Sequence, residues 1–196
     1  MIFSEEIQAS PSDSIPIVFT VREKQRDNRI LFNAELIAGL GLTVKTSRGK
    51  TIMDLRLLGN SCKCMGKILH PAGATVYKIE IEDGLSIGNG WKIMKNGGTY
   101  IRFVNTPLIE IFGRLKVILS CFHCISSDYS LDFFNQNNEN IAFMRPSLCT
   151  KAESVVLQFS DSISAQERMA VLGSCLLFMT VTVFPIYGEI LGKSLC

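Results

Sequence analysis

Apolar and polar positions alternate along most of this chain in short runs. From Ile17 to Phe159, β-branched and aromatic stretches of four to eight residues are separated by turn-forming residues, the signature of an all-β sandwich or barrel. The pattern predicts strands at Ile17–Val21, Leu42–Thr46, Met53–Leu58, Gly66–Leu69, Thr75–Glu82, Trp91–Met94, Thr99–Val104, Leu108–Phe112, Leu115–Cys121, Tyr129–Phe134, Ile141–Arg145 and Ser154–Phe159. Between them lie Ser47-Arg48-Gly49, His70-Pro71-Ala72-Gly73, Asp83-Gly84, Gly88-Asn89-Gly90, Asn96-Gly97-Gly98 and the run Asn135 to Asn140. These supply the positive φ or the local hydrogen bonds that reversing strands need. Asn96-Gly97 is the most specific of them, because a two-residue type I′ turn requires positive φ at both central positions. Arg29–Leu40 fits a short helix or a bent strand, and periodicity leaves both open.

Two segments depart from this rhythm. Residues 1–16, punctuated by Ser4, Ser10, Ser12, Ser14, Pro11 and Pro16, read as a flexible arm ahead of a single domain over 17–190. Near the other end, Ser162–Arg168 offers a helix N-cap with acid in the first turn, and Met169–Ile186 follows with eighteen residues and no charge. A helix over about 165–186 follows. Its uncharged part would be roughly 27 Å long, which matches both a bilayer core and the height of a barrel. Burial inside a barrel is the favoured reading, since about twelve strands enclose more space than their own side chains fill and an apolar helix plugs it. A transmembrane helix is the alternative.

Composition narrows the classes. Over 196 residues, 47% are hydrophobic and 19% charged, which excludes a highly charged disordered chain. Net charge is only +2, too little to indicate specific nucleic-acid binding. Its distribution is uneven, because residues 21–70 carry ten bases against four acids. The opening residues lack a secretory signal, and the seven cysteines are odd in number, so a reducing compartment with free thiols is expected.

The candidates for chemistry are few. Cys62-Lys63-Cys64 with Cys121-Phe122-His123-Cys124 could hold zinc, but the spacing is poor and ordinary free thiols are the preferred reading. Neither His70 nor His123 accompanies a nucleophile signature, and Gly84–Gly90 lacks the Lys and Ser/Thr of a phosphate loop. No catalytic residue, metal or cofactor is assigned.

Gln158-Phe159, a polar link, and the run from Glu167 through Arg168, Met169, Ala170, Val171, Leu172, Gly173, Ser174, Cys175, Leu176 and Leu177 to Phe178 resemble the last strand and helix of the tubby C-terminal-like superfamily. The likeness is closest to phospholipid scramblases and LURP-one-related proteins. It implies a mainly β fold: a closed antiparallel barrel of about twelve strands around a central apolar C-terminal α-helix. Where scramblases carry alternating Asp residues before the helix, this chain has Ser162 and Ser164 with Asp161 the one nearby acid. Calcium wants several carboxylates, so calcium-activated scrambling is not expected.

The resemblance also implies phosphoinositide binding by basic residues. The basic group Lys45, Arg48, Lys50, Arg56, Lys63 and Lys67 lies within residues 21–70, and Lys45, Arg48, Lys50, Lys63 and Lys67 are its lipid-binding candidates. The expectation is a non-enzymatic, cytoplasmic domain, peripheral at membranes or nuclear, that binds anionic phospholipid headgroups or a membrane-proximal protein. A soluble interaction or regulatory module of the same fold is the second reading, and a membrane-anchored protein is the third.

Overall fold

A computed structural model describes residues 3–9, 17–23, 29–37, 41–58, 64–82, 90–106, 129–147 and 154–183. Its strands are β1 (Phe3–Ala9), β2 (Ile17–Glu23), β3 (Ile30–Ile37), β4 (Gly41–Thr46), β5 (Thr51–Leu57), β6 (Cys64–Leu69), β7 (Thr75–Ile81), β8 (Gly90–Lys95), β9 (Gly98–Asn105), β10 (Leu131–Phe134), β11 (Asn140–Pro146) and β12 (Ser154–Phe159). One α-helix, α1 (Ala165–Phe178), continues into a π-helical turn, Met179–Val183. The protein is mainly β with a C-terminal helix, as the alternation predicts.

From β2 to β12 every strand lies antiparallel beside the next in chain order. Residues 3–9, expected to belong to an arm, form β1 instead. Phe3 faces Phe159 and Ile7 faces Val155 on β12, while on the other side Ile7 faces Val21 of β2. Ile7, fully buried, supplies a reason for the difference: it adds an apolar anchor to an otherwise polar segment. The ambiguous 29–40 run contains β3, whose Phe32 to Ile37 pair residue by residue with Thr46 to Gly41. The strands expected at Leu108–Phe112 and Leu115–Cys121 lie outside the described residues.

Inward positions are the alternate apolar ones. Val44, Met53, Leu55, Ile68, Ile79, Ile93, Ile101, Phe103 and Phe133 are buried, and the residues between them are more exposed, as the two-residue side-chain period requires. The turn chemistry behaves as expected too, with Asn96 at φ 52° and Gly97 at φ 81° reversing β8 into β9.

The sheet packs around α1. Ser164 caps it: the Ser164 hydroxyl accepts from Glu167 N at 3.2 Å, and Ser164 N donates to Glu167 Oε2 at 2.9 Å. This reciprocal pair satisfies two backbone donors that a helix start leaves open. From Ala170 to Phe178 every residue is buried, so beyond its exposed first turn the helix has no solvent face, as befits a core helix. Its two buried hydroxyls are satisfied locally, Ser174 donating to Ala170 O at 2.8 Å and Thr180 to Leu176 O at 2.7 Å. Phe178 meets Trp91 and Tyr129 edge-on. Leu172, Leu176, Leu177 and Phe178, expected inside, are each at most 1% exposed. No helix among the described residues is long and apolar enough to cross a membrane.

Candidate anion-binding rim

Consecutive antiparallel strands place the β4–β5, β6–β7 and β8–β9 turns at one end of the sheet. The start of β3 and, after β12, the start of α1 lie at that end as well. The β4–β5 turn is tightly tied. Thr46 N donates to Lys50 O at 2.9 Å, Gly49 N donates to Thr46 O at 2.8 Å, and Gly49 adopts φ 80°, a conformation open to glycine because it has no Cβ. Ser47 N reaches across to Leu31 O at 3.2 Å, docking the turn against the first residues of β3.

That contact shapes a pocket of about 360 Å³ lined by Arg29, Ile30, Leu31, Thr46, Ser47, Arg48 and Lys50. Three cations face one concavity, and the lining includes two hydroxyl residues and no carboxylate. Clustered guanidinium and ammonium groups with hydroxyl donors suit a phosphate group, and Arg in particular can bind two of its oxygens at once.

The five sequence-derived candidates separate. Arg48 and Lys50 line the pocket. Lys45 lies one pleat back on β4 with its ammonium 2.5 Å from Glu35 Oε2, so a partner already takes up its charge. Lys67 is on β6, directly opposite Arg56 of β5 on one side and Lys78 of β7 on the other. It belongs to a row of cations along the outer face rather than to the rim. Lys63 lies outside the described residues.

Arg29 is the lining cation that sequence reasoning missed, along with the uncharged Ile30, Leu31, Thr46 and Ser47. Its signal was the unresolved 29–40 run: once that run is paired as a strand, Phe32 lies opposite Thr46 and Arg29 falls beside the turn.

A second, apolar pocket of about 290 Å³ opens at the same end, between α1 and strands β5 to β7. It is lined by Ile52, Met53, Ile68, Leu69, His70, Val76, Tyr77, Ala165, Gln166 and Met169. Lys95 lies near its margin, donating to Gln166 Oε1 at 2.8 Å with its ammonium 4.9 Å from the Tyr100 ring centre. Burial raises the Tyr77 phenol above its ordinary pKa, and the charges of Tyr100 and Glu167 raise it further.

The remaining chemistry is structural or out of view. His70 Nδ1 accepts from Ala72 N at 3.2 Å within its own turn. Asp132 pairs with Arg145 at 2.6 Å and accepts from Thr106, bracing β10 against β11 and the end of β9. Among the described residues no three His, Cys, Asp or Glu side chains gather as metal ligands. Cys62, His123 and the cysteines flanking it lie outside those residues. Comparison with family models, with curated proteins and with solved structures finds no match.

Proposed function

We propose that this chain is a non-enzymatic, tubby-like lipid-binding domain: a closed barrel around α1 whose Arg29–Arg48–Lys50 pocket binds the phosphorylated headgroup of an anionic phospholipid. The barrel reading is supported by β1, which pairs with both β12 and β2, and by a helix buried on every side from Ala170 to Phe178. The observation that carries the functional reading is the pocket itself, concave, tricationic and lined by no carboxylate. Thr46 and Ser47 line it, but no imidazole, thiol or carboxylate is there to activate their hydroxyls, which favours binding over catalysis.

The test is sedimentation with phosphatidylcholine vesicles carrying phosphatidylinositol bisphosphate, compared with phosphatidylcholine alone. Binding should fall steeply as salt rises, because exposed charges are screened over about 8 Å at physiological ionic strength. Each base near an anionic leaflet contributes about 1 kcal/mol. Reversing Arg29, Arg48 and Lys50 to Glu should therefore weaken binding about a hundredfold or more. Reversing Lys92, Lys95 and Arg102 should matter much less. Salt-insensitive binding, or equal losses in the two triple variants, would reject the pocket and shift weight to the interaction-module reading.

A further inference from the structure

The apolar pocket beside the helix start is not needed to hold a headgroup, yet it adjoins the cationic one. Lys50 lines the first pocket and Ile52 the second. Two residues on a strand span about 7 Å. Both pockets open at the end where α1 enters the sheet. The apolar one is lined chiefly by aliphatic side chains, Ile52, Ile68, Leu69, Val76 and Met169 among them, and by no carboxylate.

A ligand that fills both pockets must be anionic at one end and apolar at the other. We infer that the second pocket seats an acyl chain of the same phospholipid whose headgroup occupies the Arg29–Arg48–Lys50 pocket. The protein would then hold one lipid partly withdrawn from the bilayer rather than only adhere to a charged surface. The inference rests on the anion-site reading, and it explains what that reading leaves unused: half-buried Ile52, Val76 and Met169 at a rim otherwise built of polar turns. Each methylene moved out of water favours binding, whereas the ring phosphates common to both ligands can make the same contacts with or without a chain.

Calorimetry should compare inositol trisphosphate, the headgroup without chains, with monomeric dioctanoyl phosphatidylinositol bisphosphate. The dioctanoyl lipid should bind at least about tenfold tighter. In the Ile52→Thr/Met169→Gln double variant that advantage should shrink to about threefold or less, with affinity for inositol trisphosphate unchanged. Arg48→Glu should weaken both ligands together. In the unaltered protein, the methyl resonances of Ile52, Met53 and Met169 should shift with the dioctanoyl lipid and stay in place with inositol trisphosphate, a readout that does not depend on any variant folding. Equal affinities for the two ligands, or methyl resonances that do not respond, would overturn the acyl seat and leave the anion site standing. If neither ligand binds, the anion site is rejected and the acyl seat with it.

Discussion

The wall where α1 meets β5 and β6 and the rim where β4 turns into β5 both depend on glycine, for opposite reasons. At the wall there is no space. A Cβ on Gly66 would lie 2.7 Å from Arg56 O and 3.2 Å from both Leu177 methyls, and one on Gly173 would lie 2.7 Å from Ile68 Cδ1. At the rim there is space in excess, since nothing lies within 4 Å of a Cβ built on Gly49, and what matters there is its φ of +80°. Gly49 lets the chain reverse, and that reversal places Arg48 and Lys50 on one concavity. The wall is built for packing and the rim for presentation. Substitutions at the wall should thus appear as lost stability and those at the rim as lost binding.

The largest effect should come from the buried stretch of α1. Leu176→Ala removes a fully buried side chain and should lower unfolding free energy in urea by about 2 to 5 kcal/mol. A loss well under 1 kcal/mol would mean that the helix is less enclosed than its burial indicates. Next come the two glycines, which should differ from each other. Gly66→Ala forces a methyl against backbone, which cannot easily yield, and should cost about 1 to 3 kcal/mol. Gly173→Ala meets the end of the Ile68 side chain and regains about 1 kcal/mol of helix propensity, so its net change in thermal midpoint should be small. Equal costs would show that α1 and the sheet adjust together rather than at the side-chain ends.

The smallest effects belong to the outer surface. Arg48→Glu and Lys50→Glu should leave stability within about 0.5 kcal/mol of the parent while binding falls. Lys67→Thr relieves the like charge of Arg56 directly opposite it on β5, whereas Lys78 on its other side is already paired with Glu80 at 2.6 Å. The substitution should raise stability by a few tenths of a kcal/mol, measurable as a slightly higher urea midpoint. A loss of stability there would show that Lys67 is held by interactions its register does not reveal.

The same division explains what could be read from the residues alone. Most of the described strands and the buried helix were legible, since burial imposes a period on side chains and Ala170 to Phe178 carries no charge to contradict enclosure. The Ser162–Arg168 segment announced the helix start, because a hydroxyl cap with acid in the first turn suits it, and Ser164 with Glu167 form that cap. The rim was half legible. Arg48 and Lys50 flank Gly49 and were visible as a basic turn. Arg29 depended on pairing across strands, and Lys45 on an ion pair with Glu35 ten residues away. Charge counting could not foresee that Lys67 faces Arg56 and Lys78, because neighbours across a sheet are set by register rather than by sequence. β1 was hidden for a similar reason: a strand flanked by neighbours on both sides needs little apolar content of its own, and its Ile7 is buried opposite Val21 of β2.

Arg29, Arg48 and Lys50 are proposed to form one anion site. Crystals of the protein grown with inositol trisphosphate test it most directly. Phosphate density is expected in the pocket between the β4–β5 turn and the start of β3, within hydrogen-bond reach of all three cations. Density confined to the Arg56–Lys67–Lys78 row, with the rim pocket holding none, would contradict it.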